Sequence, residues 1–145
     1  QPANIAKNDN MISINACVEV DLFGQVSSES SGPRHISGTG GQLDFATGAY
    51  MSDGGMSFIC CNASYKDKQG NTRSRIVPTL PPGSIVTVPR TQAHMIVTEY
   101  GVADLAGKST WQRAEALINV AHPDLRDGLI RDAEKMNIWR KNGTR

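Results

Sequence analysis

The sequence has no excess of charge of either sign. Its 145 residues contain 15 Lys and Arg against 14 Asp and Glu, which gives a formal net charge of +1. A chain so evenly balanced is not held to DNA or to an anionic membrane by its overall charge. We therefore expect neither nucleic acid nor a membrane among its partners, although this balance does not exclude a small local pocket for phosphate groups.

Cysteine is also scarce. Cys17, Cys60 and Cys61 are odd in number and lack metal-ligand spacing, which excludes a disulfide framework and a zinc site. We expect reduced, buried and inert thiols, no bound metal and a cytoplasmic protein. No apolar segment approaches the roughly 18 residues that span a bilayer, and no signal peptide is recognisable at the start. The chain begins with Gln1 rather than Met, from which we expect a fragment of a longer protein.

Strand patterns dominate the first two thirds of the chain. Residues 11–20 alternate apolar and polar side chains, which predicts one strand with Ile12 and Ile14 on its buried face. Polar composition predicts loops at 28–41 and 65–74. Further strands are predicted at 25–27, 56–61, 75–78, 84–88 and 95–98.

Helical patterns follow in the last third. Ser109 and Gln112 have the spacing of a capping box, and a helix is predicted from there to Ala121. Pro123 suits the first turn of a second helix that continues to Met136. Strands followed by helices predict a single domain of the α/β or α+β class, with its terminal helices packed on a sheet.

Glycine is concentrated in one segment, since seven of the fourteen glycines lie between residues 32 and 55. Gly38, Gly40 and Gly41 lack Cβ atoms, so their N–H groups can converge on one acceptor, either a ligand phosphate or an oxyanion. A helix beginning near Gln42 would add the field of its N-terminus. The spacing is neither that of a P-loop nor that of a dinucleotide fingerprint. Composition alone leaves a ligand-cradling loop and a tight structural turn both open.

The segment from Gly40 to Ile59 resembles a family signature, Gly-Gly-Gln-x-Asp-Phe-x-x-Gly-Ala followed by Ser-x-Gly-Gly-x-Ser-Phe-Ile. It is the signature of the acetyl-CoA hydrolase/transferase family, which includes the 4-hydroxybutyrate and butyryl-CoA:acetate CoA-transferases. The similarity covers nearly the whole chain in order, because it continues in segments 8–11, 14–15, 19–22, 24–26, 74–78, 97–103, 113–118 and 121–126.

The resemblance implies that residues 1–145 form a CoA-transferase carboxyl-terminal domain, α/β in class, with a NagB/RpiA-like open sheet flanked by helices. Family members move CoA between short-chain carboxylic acids through a glutamyl-CoA thioester. Their nucleophilic glutamate lies upstream in a His-Thr-Glu context, which is absent here. The role is therefore assigned to none of Glu19, Glu29, Glu99, Glu115 and Glu134, and the isolated chain, without its amino-terminal half, is expected to be inactive.

The resemblance and the glycine pattern together select the candidate site residues. The candidates for stabilising an oxyanion are Gly38, Gly40, Gly41 and Asn15. The candidates for binding coenzyme A or acyl-CoA, as a substrate rather than a tightly bound cofactor, are Gly40, Gly41, Gln42, Asp44, Phe45, Gly48 and Gly55. Structural roles stay open for three of these side chains: a helix cap or Asx-turn for Asp44, a core anchor for Phe45 and a structural hydrogen bond for Asn15.

Several charged residues have two alternative roles, in ligand binding or in the structure. Met56 stands where the family usually has Lys, so the charge of that Lys is absent. Glu99 is predicted either to bind ligand or to pair with Arg75 or Arg90. The basic cluster forms a solvated loop or assists the CoA diphosphate; it consists of Lys66, Lys68, Arg73 and Arg75.

Two other functions remain open beside the transferase. The first is an acyl-CoA hydrolase, in which water attacks the same glutamyl-CoA intermediate. The second is a non-catalytic module that binds CoA. The resemblance also implies a homo-oligomer, with acyl-CoA and a carboxylic acid as the small-molecule partners.

Overall fold

Short strands and helices joined by loops make up residues 1–140, the part of the chain that this computed structural model describes. The helices are α1 (Pro2–Ile5), α2 (Gln42–Met51), α3 (Thr110–Asn119) and α4 (Arg126–Lys135), and a 3-10 turn, Pro123–Leu125, precedes α4. The strands are β1 (Ile12–Ala16), β2 (Glu19–Asp21), β3 (Val26–Ser27), β4 (Ser30–Ser31), β5 (Arg34–His35), β6 (Met56–Cys60), β7 (Ser64–Lys66), β8 (Thr72–Ser74), β9 (Ile76–Val77), β10 (Met95–Thr98) and β11 (Gly101–Asp104).

The main sheet has the strand order β1-β6-β10-β11. The first three strands are parallel, with Ile14 and Met95 both beside Phe58, and β11 runs antiparallel to β10. A smaller sheet has the order β3-β2-β9, and two hairpins, β4-β5 and β7-β8, complete the pairing. This mixed architecture of open sheets and helices confirms the predicted α/β class.

One side of the main sheet carries the core. Ile59 and Ile96 are fully buried there, in one apolar cluster with Leu117 and Ile118 of α3. The predicted capping box at the start of α3 is present, because Ser109 accepts the N–H of Gln112 and the Gln112 side chain accepts the N–H of Ser109. None of the helices within residues 1–140 is long and apolar enough to cross a membrane.

The opposite side of the main sheet is apolar and poorly covered. The prediction that Ile12 and Ile14 are buried is wrong, since they are 48% and 72% exposed, whereas Ser13 between them is 4% exposed. The helix α2 packs on β1 and β6, and small side chains such as Ser13 and Ser57 let it approach closely. The other side of the sheet is here called the outer face. Strand alternation and register place seven apolar side chains on it: Ile12, Ile14, Met56, Phe58, Met95, Val97 and Val102.

Three other predictions fail locally. Residues 11–20 do not form one strand, because the chain leaves the main sheet after β1 and joins the smaller sheet as β2. Residues 84–88 contain no strand; Val88 only bridges Val26, whose N–H donates to the Val88 carbonyl at 3.0 Å. Residues 65–74 form most of the β7-β8 hairpin rather than a loop, since the Asp67 carboxylate accepts the N–H groups of its turn.

Candidate functional site

The carboxyl ends of three parallel strands meet at one edge of the main sheet. Ala16, Cys60 and Thr98 end β1, β6 and β10, respectively. In open α/β sheets, ligands bind outside this edge. An open cleft of about 600 Å³ lies here, which is the size of a small-molecule site. Its lining residues are Ala16, Cys17, Val18, Cys60, Cys61, Asn62, Arg75, Val97 and Thr98.

The start of α2 lies at the rim of this cleft, and the glycine-rich loop leads into it. The Gln42 side-chain N–H donates to the carbonyl oxygen of Ala16 at 3.2 Å, which fixes the first turn of α2 beside the end of β1. Gly41 is the N-cap residue and supplies no side-chain cap. Within residues 1–140, no hydrogen bond engages the N–H groups of residues 38–44, and residues 38–41 are exposed. Such a row of open amides suits an anionic oxygen.

The backbone of the loop leaves room for a ligand. Gly40 has a φ of +59°, which side-chain-bearing residues rarely adopt. A Cβ atom built on Gly38 or Gly40 would meet no atom within 4 Å, whereas one on Gly41 would touch only the Phe45 ring at 3.5 Å. Gly70 in the β7-β8 hairpin turn has equally open surroundings, so both the ligand-cradling loop and the tight structural turn fit this geometry.

A buried carboxylate holds the loop in place. Glu29 is 5% exposed, and its carbonyl oxygen accepts the N–H groups of Ile36 and Ser37 at 2.7 and 3.2 Å. Its carboxylate accepts the hydroxyls of Thr87 and Thr39 at 2.8 and 3.3 Å. Sequence reasoning missed this residue as an anchor. The available signal was a single acidic residue within a run of serines, which does not distinguish an anchor from a solvated side chain.

The polar and aromatic candidate residues lie in two places, on the first turns of α2 and on β1. Asp44 and Phe45 lie exposed on the first turn of α2, and at 46% exposure Phe45 is not the core anchor that the sequence left open. The Asn15 amide donates to the Ser13 hydroxyl at 2.8 Å, on the side of β1 that faces the helices. Gln42, Asp44 and Phe45 thus follow the open amides of the loop on the first turns of α2, while Asn15 makes the structural hydrogen bond that was its alternative.

Two of the glycine candidates lie where helices and turns pack. A Cβ on Gly48 would overlap the Ile5 side chain of α1 and lie 3.0 Å from the Pro2 carbonyl oxygen. A Cβ on Gly55 would overlap the carbonyl oxygen of Ala49. Both positions demand glycine for close packing, whatever else they contact.

One cation of the predicted basic cluster lines the cleft. Arg75 donates to the carbonyl oxygen of Val18 at 3.0 Å, and its guanidinium lies 4.8 Å from the centre of the Tyr65 ring. The others belong to the β7-β8 hairpin, where Arg73 pairs with Asp67 at 2.8 Å and Lys66 donates to Thr72. Arg75 therefore supplies the positive charge at this end of the sheet.

The predicted ion pair of Glu99 with Arg75 or Arg90 is not observed within residues 1–140. Its carboxylate accepts the Ala63 N–H at 2.8 Å, and the ion pairs of this region do not include it. His94 packs edge-on against Tyr50, with ring centres 5.1 Å apart. His122 accepts the N–H of Asp124 at 3.2 Å and caps the 3-10 turn.

The thiols at the cleft are half-buried rather than buried. The neighbouring Cys61 thiol and burial raise the pKa of Cys17 well above its ordinary value. A hydrogen bond from Cys17 and the charge of Arg75 lower the pKa of Cys61, against burial. Within residues 1–140 no group of three or more His, Cys, Asp or Glu side chains is arranged to hold a metal ion.

The comparison with known families decides the assignment. Residues 1–133 match the model of the acetyl-CoA hydrolase/transferase C-terminal domain. The chain belongs to this family. The open amides and the glycine loop lie inside the matched segment, as the resemblance implied.

Named relatives within the acetyl-CoA hydrolase/transferase family agree. The chain is 61% identical over 140 residues to a butyryl-CoA:acetate CoA-transferase of Anaerostipes caccae, covering 97% of this chain and 31% of that protein. It is 51% identical over 135 residues to a 4-hydroxybutyrate coenzyme A transferase of Clostridium kluyveri, covering 92% of this chain and 30% of the relative. An acetyl-CoA hydrolase of Kluyveromyces lactis is 34% identical over 116 residues, which are 79% of this chain and 21% of that protein.

A solved structure supports the same fold. RipA from Yersinia pestis superposes with a TM-score of 0.84 at 44% identity, covering 95% of this chain and 30% of that one. The chain spans about a third of the length of the two CoA-transferase relatives described above.

Proposed function

We propose that residues 1–145 are the carboxyl-terminal domain of a cytoplasmic CoA-transferase that moves CoA between short-chain carboxylic acids. The observation that carries this proposal is the row of open amides at residues 38–44, beside the cleft at the carboxyl edge of the main sheet. The names of the transferase relatives support the substrate class. The rest of the enzyme supplies the remainder of the active site.

The chemistry that these amides suit is acyl transfer. A glutamate carboxylate attacks the carbonyl carbon of the acyl-CoA thioester and releases CoA thiolate, which leaves an acyl-glutamyl anhydride. The thiolate then attacks the glutamyl carbonyl carbon, giving the glutamyl-CoA thioester and the free carboxylate. Covalent catalysis of this kind divides one difficult exchange into easier steps. Each attack passes through a tetrahedral oxyanion, and preorganised N–H donors stabilise it.

The nucleophile of this proposal lies outside the chain. Glu29 and Glu99 are engaged, the first with two threonine hydroxyls and the second with the N–H of Ala63. Glu115 and Glu134 lie on α3 and α4, and Glu19 lies on β2 in the smaller sheet. None of the five stands in a His-Thr-Glu context. The arrangement therefore suits half of an active site.

The binding of CoA is proposed at the rim and in the cleft. In this proposal Gly40, Gly41, Gln42, Asp44 and Phe45 contact CoA at the rim, where Gln42 bonds to Ala16. Arg75 offers the cleft a positive charge for a phosphate group. Met56 begins β6 at the opposite edge of the sheet and belongs to the outer face. The absent Lys charge is thus remote from the cleft, and Arg75 does not replace it in position.

We propose that the part of the enzyme outside residues 1–145 packs on the outer face of the main sheet. Parallel sheets are covered on both faces, and this one exposes a continuous apolar surface on one side. Ile14 is 72% exposed, and Val102 is 56% exposed. The relatives contain about twice as much additional polypeptide as the segment described here, enough to supply covering helices. Assembly of complete subunits into a homo-oligomer is a separate proposal.

Replacing Ile14 by aspartate in the full-length enzyme tests this packing. A residue exposed in the enzyme would tolerate the change, whereas an isolated carboxylate under a covering layer should cost about 3 kcal/mol or more. We expect a large fall in Tm for Ile14→Asp. The matched control is Val86→Asp, at a position 41% exposed and outside the outer face. Equal Tm values for Ile14→Asp and the wild-type enzyme would show the face to be open to solvent.

Hydrolysis is the second candidate function, favoured by the acetyl-CoA hydrolase among the relatives. The experiment that separates the two supplies butyryl-CoA to the full-length enzyme with and without acetate. A transferase makes acetyl-CoA in an acetate-dependent reaction and releases little free thiol. Release of CoA thiol at the same rate without acetate would identify a hydrolase, and binding without either reaction would identify a CoA-binding module.

A further inference from the structure

Two cysteines from distant parts of the sequence stand side by side at the floor of the cleft. Ala16 is opposite Cys60 in the parallel register of β1 and β6. Cys17 and Cys61 are therefore the residues that directly follow these two strands. The Cys17 N–H donates to the Cys60 carbonyl oxygen at 3.0 Å, and the Cys61 N–H donates to Val97 at 3.0 Å. These bonds hold both residues in place.

The spacing of adjacent strands is suitable for a disulfide. Neighbouring strands lie about 4.8 Å apart, and disulfides join Cα atoms about 4.4 to 6.8 Å apart. The third cysteine is placed differently. Cys60 belongs to β6 and alternates with Met56 and Phe58 toward the outer face, whereas Cys17 packs against the apolar core. Cys17 and Cys61 are thus the natural pair.

The two thiols also differ in chemical character. Cys61 lies near Arg75 and Glu99. The hydrogen bond with Cys17 and the charge of Arg75 lower the pKa of Cys61, against burial and the charge of Glu99. Cys17 has a raised pKa and stays protonated. Since the thiolate is the nucleophile in disulfide exchange, Cys61 is the attacking residue and Cys17 the resolving one.

We propose that Cys17 and Cys61 form a redox-active dithiol, which low-molecular-weight disulfides convert into an intramolecular disulfide that blocks the cleft. The Cys61 thiolate attacks one sulfur of the oxidant, forms a mixed disulfide and expels one thiolate. Cys17 then attacks the Cys61 sulfur, gives its proton to solvent and expels the second thiolate. Two protein thiols are oxidised, and one oxidant disulfide is reduced to two thiols. The blocking effect rests on the proposed function, whereas formation of the disulfide does not.

Glutathione disulfide is the probe, and the full-length enzyme is the sample. Trypsin cleaves after Lys7, Arg34 and Lys66, so Cys17 falls in peptide 8–34 and the other two cysteines fall in peptide 35–66. After treatment, alkylation of free thiols and non-reducing digestion, we expect these two peptides to be cross-linked. Cys60→Ser should retain the cross-link. Cys17→Ser should lose it and carry glutathione on Cys61.

Activity forms the second readout. The treated enzyme should lose most of its CoA transfer and recover it with dithiothreitol, while Cys61→Ser should keep its own untreated activity. Alkylation of all three cysteines after treatment would refute the disulfide between Cys17 and Cys61. A cross-link that survives in Cys61→Ser would refute it as well. A cross-linked enzyme with full activity would overturn the block. If the untreated enzyme transfers no CoA, the proposed function is refuted instead. The cross-linking of peptides 8–34 and 35–66 still shows whether Cys17 and Cys61 form a disulfide.

Discussion

Replacing Gly41 by valine in the full-length enzyme is expected to lower the rate of CoA transfer more than about tenfold while the fold survives. The backbone of Gly41, with φ of −100° and ψ of 8°, is accessible to valine, and an added Cβ would touch only the Phe45 ring at 3.5 Å. The valine methyl groups would stand before the open amides and hold the reacting oxygen away. The measurement is kcat for CoA transfer, together with Tm.

The control for this substitution is Gly128→Val in α4. Gly128 is also a glycine without a strained backbone, and an added Cβ there would meet only the Arg131 guanidinium at 3.8 Å. We expect unchanged transfer in this variant, and Gly41→Ala should fall between wild type and Gly41→Val. Wild-type turnover in folded Gly41→Val would remove the glycine loop from the mechanism.

Asp44→Ala is expected to lower turnover by more than about tenfold. The accompanying loss of folding stability should be too small to explain this decrease. Asp44 is exposed on the first turn of α2, beside the open amides. A purely structural role at a helix N-terminus is worth about 0.3 to 1 kcal/mol. A role in positioning substrate instead changes kcat/KM without a matching change in Tm.

Two variants separate these roles of Asp44. Asp53→Ala changes an exposed aspartate just beyond the other end of α2 and should leave turnover unchanged. Asp44→Asn keeps the size and hydrogen-bonding capacity of the side chain but removes its charge, and it should recover part of the lost rate if geometry matters more than charge. A fall in Tm without loss of turnover in Asp44→Ala would leave Asp44 with a helix-capping role alone.

Local signals in the sequence were sufficient for much of the fold. The capping box at Ser109 and the start of α2 at Gln42 depend on residues within one turn, and both are present. The short apolar run at residues 56–61 predicted a strand, and β6 is present there. The glycines at 38–41 marked the loop because glycine readily adopts a positive φ, and Gly40 has a φ of +59°.

The failures concern contacts between distant segments. The alternation at Ile12, Ser13 and Ile14 defines two faces but does not say which of them a helix covers, and here the small serine side is covered. Glu29 acts as an anchor only because the fold brings Thr87 to its carboxylate. The pairing of Cys17 with Cys61 follows from the strand order β1-β6, which no local pattern in the sequence encodes.

The formation of the covalent enzyme-CoA adduct tests the central claim most directly. In a single turnover with butyryl-CoA, the full-length enzyme should form a glutamyl-CoA thioester on a glutamate outside residues 1–145, and Gly41→Val should form it more than about tenfold more slowly. Peptide mapping locates the adduct, and quenched-flow sampling gives its rate. An adduct on one of the five glutamates in this chain, or the wild-type rate in Gly41→Val, would contradict the account.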